Sequence, residues 1–450
     1  MNCIIKKVLL IQPEYKFKYL DISIGLLYLA SHLQRNAINV KIYDKGIGNL
    51  KSAINKFKPQ IIGLYATVLH AKIIEKYIKI IKEINPNILI FLGGPYPSIF
   101  YDKLIKNPRV NGIIIGEGED SFLKVIKEFN NNSSNFKDIE GLVLKHKGNV
   151  ITNLKHSFID LSKLPLPDYR LLDMKSYIKK WPYFDYLNNI KGTSIITSRG
   201  CPFNCSYCQP YSKNMFGLKT RRHNAKDVVE KMHELNKLYQ INSFFFHDDT
   251  FITNKEWVKE FCTLLIKSKS NYKWICNTRI ETISSDIIKL MAKANCKEIR
   301  LGIETINPKV QKFYNKIIPI KDIHSAISII KKEGIKVFGF FIIGAPMESR
   351  NDILKTINFA VRSNLNITRF SILVNMPGTY LSDHIKTKSS FEGFDYIKNS
   401  KNNCSNIPYK ELVRIRRIAY ILFYFHPKRI LSTLHSLLSL RSIMAKLERF

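Results

Sequence analysis

The sequence predicts an α/β protein built from two successive strand–helix series. An N-terminal doubly wound sheet comes first, then a partial (β/α)6 barrel, then a small helical C-terminal region. Three observations predict this. Short runs rich in Val, Ile and Leu alternate with amphipathic stretches through most of the chain, as expected of parallel strands covered on both faces. The alternation breaks once, around the Pro-rich bridge Leu164-Pro165-Leu166-Pro167-Asp168-Tyr169, which suits an interdomain crossing. The 450 residues exceed one ordinary core, so two or three domains are expected. The boundaries read as a first domain over 1–145, a linker over 146–190, the barrel over 191–385 and a C-terminal region over 386–450.

In the first series, Lys7–Pro13, Val40–Asp44, Ile61–Thr67, Ile88–Gly94 and Gly112–Glu117 read as five strands, each apolar on both faces. Between the third and fourth, Ile73, Ile74, Tyr77, Ile78, Ile81 and Ile84 recur at helical spacing and form one apolar stripe. Ligands of such sheets bind at the carboxyl ends of the strands. Gly93-Gly94 and Gly116-Glu117-Gly118-Glu119 lie at two of those ends. Glycines there are also ordinary turn residues, so by themselves they leave ligand and turn both open.

The second series has strand candidates at Ser194–Ser198, Ser243–His247, Trp274–Thr278, Glu298–Ile303, Val337–Ile343 and Phe370–Val374. Helical stretches including Ala225–Tyr239, Asn254–Lys267 and Ile320–Glu333 separate them. In (β/α) barrels functional residues sit at strand C-termini. Here those positions carry Asp248-Asp249, Arg279, Glu304-Thr305, Gly344-Ala345-Pro346 and Pro377-Gly378-Thr379. Any one of them has an ordinary reading, such as a helix cap or an ion pair. Five together at one mouth point to a site.

After the first strand of this series comes Gly200-Cys201-Pro202-Phe203-Asn204-Cys205-Ser206-Tyr207-Cys208. The C-x3-C-x2-C spacing lets three thiolates hold three irons of a cubane cluster and leave the fourth open. A structural zinc site takes four closed ligands, often as two C-x2-C pairs, and no second pair follows. Zinc and three core cysteines are the alternatives.

This segment resembles the cluster loop of radical S-adenosylmethionine (radical SAM) enzymes, with Tyr207 as the aromatic residue before the last Cys. The resemblance implies a [4Fe-4S] cluster on Cys201, Cys205 and Cys208. Its open iron chelates SAM, and one-electron reduction cleaves SAM to methionine and a 5′-deoxyadenosyl radical. It also implies roles at the mouth. Asp248 and Asp249 stand where the family contacts the SAM amino group. Arg279 suits the SAM carboxylate. Glu304 accepts hydrogen bonds from SAM, and the strand ending at Gly344 resembles the adenine-binding strand. Arg221 matches a basic residue after the cluster loop. An acidic residue usual in the next helix is displaced, with Lys231 in its place and Glu230 beside it.

The first domain resembles the Rossmann-like cobalamin-binding domain that precedes the barrel in one radical SAM subfamily, which includes methyltransferases and the anaerobic magnesium-protoporphyrin ester cyclase. The matching pieces are Pro13, Gly25-Leu26-Leu27-Tyr28-Leu29-Ala30, Asp44, Gly63-Leu64-Tyr65-Ala66-Thr67, Gly93-Gly94 with Pro97, and Gly116-Glu117-Gly118-Glu119. The resemblance implies that Thr67, Gly93, Gly94 and Gly116 make room for the nucleotide tail of cobalamin. The D-x-H-x-x-G motif that supplies a lower cobalt ligand is absent, so no His is expected on cobalt.

The function implied is a cobalamin-dependent radical SAM methyltransferase acting on an unactivated carbon of a small-molecule or lipid substrate. It would need an external one-electron reductant of flavodoxin or ferredoxin type. A cyclase or rearrangement enzyme of the same architecture is the alternative, and a non-catalytic cobalamin or redox-sensing module is another. An RNA-modifying methylthiotransferase would carry three further Cys in its N-terminal domain, whereas Cys3 is the only Cys before Cys201.

Composition agrees with a globular, reduced, cytoplasmic protein. The chain is 45% hydrophobic and 24% charged, with eight scattered Cys. No signal segment opens it, and no run approaches the ~18 apolar residues of a membrane span. The formal charge of +35 raises a nucleic-acid or anionic-membrane partner. The lysines are spread along a chain rich in Lys, Asn and Ile, which favours a compositional bias over a dedicated nucleic-acid patch. Leu412–Phe425 is apolar on one side and basic on the other. Peripheral membrane contact is one reading; packing on the barrel beside the substrate site is the favoured one.

Overall fold

The computed structural model describes residues 5–13, 22–44, 48–132, 135–155, 157–181, 183, 190–208, 215–385 and 403–431. They form two compact units. The first takes the residues up to Tyr177 together with 215–219, and the second takes 178–208, 220–385 and 403–431.

The first unit is one seven-stranded sheet. Its parallel strands are β1 (Lys7–Gln12), β2 (Asn39–Asp44), β3 (Ile61–Tyr65), β4 (Leu89–Gly93) and β5 (Gly112–Ile114). The order β2-β1-β3-β4-β5 reverses direction between β1 and β3. At such a switch point a crevice opens outside the carboxyl ends of the strands. Apolar residues on both sheet faces feed two cores. One holds Leu9, Ile11, Ile62 and Leu64 with Tyr77, Ile78 and Ile81 of the helix Ile74–Ile84, whose buried face is the predicted stripe. The other holds Val8, Leu10 and Ile61 with Phe122 and Ile126 of the helix Glu119–Asn130.

Two strands extend this sheet beyond the five expected. β6 (Leu142–His146) and β7 (Asn149–Asn153) form an antiparallel hairpin on the edge of β5. Its two-residue turn has Lys147 at φ 48° and Gly148 at φ 81°, the left-handed pair that matches strand twist. The Pro-rich stretch after it is built into the same unit. Arg35 Nη2 donates to the Leu166 carbonyl at 3.1 Å, the Asp168 N–H donates to Ser31 Oγ at 2.8 Å, and Tyr177 OH donates to Asp44 at 2.5 Å. Residues 157–177, expected as part of a bridge, thus belong to the first unit.

The second unit has six parallel strands in sequence order: β8 (Gly192–Ile195), β11 (Ser243–Phe246), β12 (Lys273–Thr278), β13 (Cys296–Glu304), β14 (Lys336–Ile343) and β15 (Ile367–Ile372). A short antiparallel pair, β9 (Ser198–Arg199) with β10 (Arg221–Arg222), stands beside β8. β8 and β15 are not paired, so the barrel is partial, as expected. The last strand lies at 367–372 and not at 370–374. Helices cover the outer face; Trp274 is fully buried there among Phe246, Phe251 and Phe261. Truncating such a side chain costs about 3–5 kcal/mol.

The helix Tyr409–Tyr424 belongs to this unit. Leu412, Ile415, Ala419, Tyr420 and Phe423 are buried, and Tyr420 OH accepts the Phe370 N–H at 3.1 Å. The amphipathic segment therefore packs on the barrel. Residues 386–402 and 432–450 of the expected C-terminal region lie outside the described residues. Among the described residues no helix is long and apolar enough to cross a membrane.

Candidate active site

The strands of the second unit alternate in facing, and that parity sets the mouth of the barrel. On β11, Phe246 packs outward on Phe261 and Trp274, while Phe245 lies with Ile275, Trp181 and Tyr183 inside. His247, just past the strand, stays on the side of Phe245 and Tyr183, with ring centroids 4.0 and 5.7 Å away.

Asp248 is 1% exposed and fully engaged. Its carboxylate accepts the Thr197 N–H at 2.7 Å, Thr197 Oγ1 at 2.5 Å and Ser198 Oγ at 2.7 Å, with Arg222 Nη1 at 3.4 Å. Arg222 also donates to the Phe251 carbonyl at 2.5 Å and to Thr253 Oγ1 at 2.8 Å, and lies over the Trp257 ring at 4.8 Å. Burial lowers its pKa, against the opposing pull of Asp248. Asp248 clamps the strand end beneath the cysteine loop, with both carboxylate oxygens bonded inside the protein. Arg222, beside the Arg221 singled out by the sequence, is the cation built into that clamp. Asp249 is exposed at the mouth, and its charge is one of the smaller causes acting on the Cys201 thiol.

The cysteine loop follows at once. Gly200 turns the chain at φ 87°, a conformation that costs an L side chain about 1 kcal/mol or more. Ser206 Oγ donates to the Phe313 carbonyl at 2.6 Å, the Ser206 N–H to the Tyr314 carbonyl at 3.0 Å, and Asn315 Nδ2 to the Asn204 carbonyl at 2.8 Å. Segment 313–315 thereby brackets the loop. Cys201, Cys205 and Cys208 are half-buried thiols outside any disulfide. Cys201 Sγ lies 3.6 Å from Thr250 Oγ1, and burial pushes its thiol pKa up. Arg279 Nη1 reaches Cys205 Sγ at 2.9 Å. Among the described residues no three or more His, Cys, Asp or Glu side chains are gathered as a single metal ion requires. A cubane instead takes each thiolate on a different iron. Three accessible thiols on one anchored turn, with a guanidinium donating to one sulfur, fit such a cluster.

Arg279 is less free than its strand-end position suggests. It pairs with Glu281 through Nη2 and through Nε at 3.3 Å, and lies 3.9 Å over the Phe203 ring. Glu304 sits at φ 66° and pairs with Lys316 Nζ at 2.9 Å, both nearly buried. Lys316 also donates to Tyr207 OH at 3.4 Å. Burial, then the Glu304 charge, pushes the Tyr207 hydroxyl pKa well up, so Tyr207 stays a neutral phenol. Gly302 leaves room for this pair, because a Cβ there would run into Glu304 Oε1 and Lys316 Nζ. The sequence reading missed Lys316; its position in a loop after the helix Pro308–Phe313 gives no periodic signal.

Gly344, at φ 88°, follows β14 directly. Glu348 accepts the Gly344 and Ala345 N–H groups at 2.7 and 3.0 Å, fixing the turn, and burial raises its pKa to about 7. Glu348 was also missed, since five residues past a strand end it reads as a helix-start acid. Lys231 and Glu230, flagged by the sequence, serve the helix Ala225–Tyr239 itself through pairs with Glu234 and Lys226.

In the first unit the expected tail-binding residues come together at the carboxyl edge of the sheet. Ser98 Oγ donates to the Gly94 carbonyl at 2.9 Å and accepts the Gly116 N–H at 3.2 Å. The Ala66 N–H donates to the Gly93 carbonyl at 2.9 Å, tying the Thr67 loop to β4. Thr67 Oγ1 caps a short turn by accepting the Leu69 N–H at 3.3 Å, and His70 Nδ1 accepts the Thr67 N–H at 3.0 Å. Burial drives the His70 pKa down to about 4. Gly94 has its own structural reason: φ is 98°, and a Cβ would meet the Tyr65 ring at 2.7 Å and the Ala66 carbonyl at 2.8 Å. Gly93 differs, for a Cβ there meets only the Ile114 carbonyl at 4.0 Å. The edge is a cradle of backbone and small residues open at Gly93, which fits a bulky ligand.

Comparison with known proteins agrees with both halves. A family model described as the radical SAM superfamily matches residues 195–360, across the cysteine loop and five of the six strand ends. A B12 binding domain model matches residues 16–126, across the glycine cradle. The chain is a radical SAM enzyme with a B12-binding domain. Two relatives share this length of sequence with the radical SAM enzyme. The uncharacterized methyltransferase PH0819 of Pyrococcus horikoshii is 29% identical over 90% of this chain and 88% of its own. The anaerobic magnesium-protoporphyrin IX monomethyl ester cyclase of Rubrivivax gelatinosus is 26% identical over 87% of this chain and 72% of its own. Among solved structures, the radical SAM methyltransferase TsrM from Kitasatospora setae, with cobalamin and a [4Fe-4S] cluster bound, superposes with a TM-score of 0.71 at 16% identity. It covers 84% of this chain and 74% of that one, a likeness of fold. The cofactors of this radical SAM enzyme are a [4Fe-4S] cluster, SAM and cobalamin.

Proposed function

We propose that this enzyme is a methyltransferase that acts on an unactivated carbon of a small-molecule or lipid substrate. The observation that carries the reading is a single chain in which a B12-binding sheet precedes a barrel whose mouth holds the three-cysteine loop. When bound, cobalamin supplies a methyl carrier, and the cluster with SAM supplies a radical that opens a C–H bond. An sp3 carbon has no lone pair with which to attack SAM, so the two cofactors answer one chemical need.

Within that reading Cys201, Cys205 and Cys208 hold the cluster. Arg279 donates to the Cys205 sulfur, an interaction that raises a cluster's potential. Asp248 and Arg222 hold the strand end from which the loop springs. Asp249, Arg279 and Glu304 face the SAM position, Glu304 with its charge balanced by Lys316. Gly344 makes the turn after β14 beside it, held by Glu348 through the Gly344 and Ala345 N–H groups. Thr67, Gly93, Gly94 and Gly116 keep the sheet edge free of bulk for cobalamin. A one-electron donor of flavodoxin or ferredoxin type supplies the reduction.

The cyclase relative supports a second reading, ring closure or rearrangement without methyl transfer. Product analysis separates the two. Anaerobically reconstituted enzyme is given cobalamin, SAM and a strong reductant. Formation of S-adenosylhomocysteine beside 5′-deoxyadenosine supports methyl transfer. 5′-Deoxyadenosine alone favours cyclisation or rearrangement. Absence of both supports a non-catalytic module.

A further inference from the structure

Below the strand-end residues at the mouth, the barrel interior holds a second charged layer. Register places Asn277 of β12, Arg300 of β13 and Phe338 of β14 side by side on the inner face. Arg300 lies four residues before Glu304, about 13 Å deeper along the strand at ~3.3 Å per residue. Its guanidinium is walled by three rings: Phe245 at 4.7 Å, Tyr183 at 5.1 Å and Phe338 at 5.1 Å. Nε donates to Glu298 Oε1 at 2.7 Å.

The terminal nitrogens are the informative atoms. The Arg300 side chain is 14% exposed, yet neither Nη1 nor Nη2 has a protein acceptor among the described residues, and neither is sealed from solvent. A guanidinium placed only to plug a barrel would have its N–H groups satisfied, because a buried unpaired donor is costly. Here one edge is neutralised by Glu298 and the planar fork on the other edge is open. One layer up, Arg369 of β15 stands in register with Phe340 on the same inner face. It is exposed and has no protein partner among the described residues.

We infer that Arg300 anchors a carboxylate of the substrate inside the barrel, with an aromatic or flat apolar body lying against Tyr183. This rests on the enzymatic reading above and deepens it by naming a substrate class. A fork with two parallel N–H groups matches a carboxylate bidentately. The Glu298 charge cancels that of Arg300, so a monoanion, balanced by Arg369 above, suits the layer better than a phosphate dianion. Anchoring at this depth directs the rest of the molecule toward the strand C-termini, where the cluster loop lies.

The test is calorimetric titration of the cofactor-loaded full chain with 2-naphthoate, its neutral isostere 2-naphthamide and 2-naphthyl phosphate. The expected result is saturable naphthoate binding, at least about tenfold tighter than the amide, the factor that one charge-assisted pair supplies. Arg300→Lys keeps the charge beside Glu298 but loses the fork, and it abolishes the preference; Arg300→Met does the same. Equal affinity for acid and amide, a preference for the phosphate, no saturable naphthoate binding, or an unchanged preference in Arg300→Lys each overturns the assignment. Iron content and SAM cleavage are measured on the same preparations. Failure there counts against the cofactor reading, and failure of the titration alone counts against Arg300.

Discussion

The mouth of the barrel and the carboxyl edge of the N-terminal sheet prepare their ligand positions in opposite ways. At the barrel mouth, charges are buried and spent on one another: Asp248 on Thr197, Ser198 and Arg222, and Glu304 on Lys316. At the sheet edge two charges are buried, Glu117 and Glu119 after β5, but neither takes part in the bonds through Ser98 and Ala66 that join the loops. Backbone bonds through Ser98 and Ala66 tie three loops together, and glycines leave the space. The first design holds a reactive loop stiffly in a low-dielectric setting, where an unpaired charge is costly. The second makes room for a large ligand with few polar commitments. One region should therefore fail through electrostatics and the other through sterics.

The largest effect is expected at the cysteines. Replacing Cys201, Cys205 or Cys208 singly by Ala should reduce SAM cleavage to background, read as 5′-deoxyadenosine by chromatography. Turnover at the wild-type rate would remove that residue from the site. Next comes Glu304→Ala, which strands Lys316 in a nearly buried position. Breaking such a pair costs about 3–5 kcal/mol, visible as a lowered denaturation midpoint, with most of the loss recovered in the double variant Glu304→Gln, Lys316→Met. A midpoint unchanged in Glu304→Ala would show that the pair does not stiffen the mouth.

The two regions should also answer pH in opposite directions. Glu348 has a folded pKa raised to about 7 by burial. The second unit therefore has this contribution in full below the unfolded carboxylate value and loses it as pH rises toward 7. His70 is driven down to about 4, so the first unit has its contribution in full above the unfolded imidazole value and loses it as pH falls toward 4. Each is worth about 3 kcal/mol. Hydrogen exchange at pH 5 and pH 8 should show the β3–β4 loops loosening at the low value and the β14 turn loosening at the high one. Glu348→Gln and His70→Gln should each flatten the response of their own unit, and parallel behaviour of both units would break the contrast. Smallest is Gly94→Ala, expected to cost the first unit at least about 1 kcal/mol from its positive φ alone, with SAM cleavage unaffected. No loss of stability would show that the backbone there is not strained by a side chain.

Much of this was legible in the sequence, for identifiable reasons. The five parallel strands of the first sheet and the six of the barrel declared themselves because buried parallel strands are apolar on both faces. The hairpin Leu142–Asn153 did not, since its turn is Lys147-Gly148 and lacks the Asn-Gly or Asp-Gly that usually marks the left-handed pair. The cysteine loop was read from spacing alone. The burial of Asp248 beside an exposed Asp249 was not, because it depends on Thr197, Ser198 and Arg222, which come from elsewhere in the chain. Lys316, Arg222 and Glu348 meet their partners through tertiary contacts across 12, 26 and 4 residues, where no local pattern reports them. At Gly93 and Gly94 the sequence shows two equal glycines. The structure separates them, one demanded by backbone and ring contacts and the other by open space.

That separation supplies the most direct test of the central claim, that the two units hold different cofactors by different means. Iron and cobalt are counted per chain after reconstitution in three proteins: wild type, the Cys201→Ala, Cys205→Ala, Cys208→Ala triple variant, and Gly93→Leu. The account predicts that the triple variant loses iron and keeps cobalt, while Gly93→Leu loses cobalt and keeps iron. Cobalt retained at the wild-type level in Gly93→Leu, or lost together with iron in the triple variant, would contradict it.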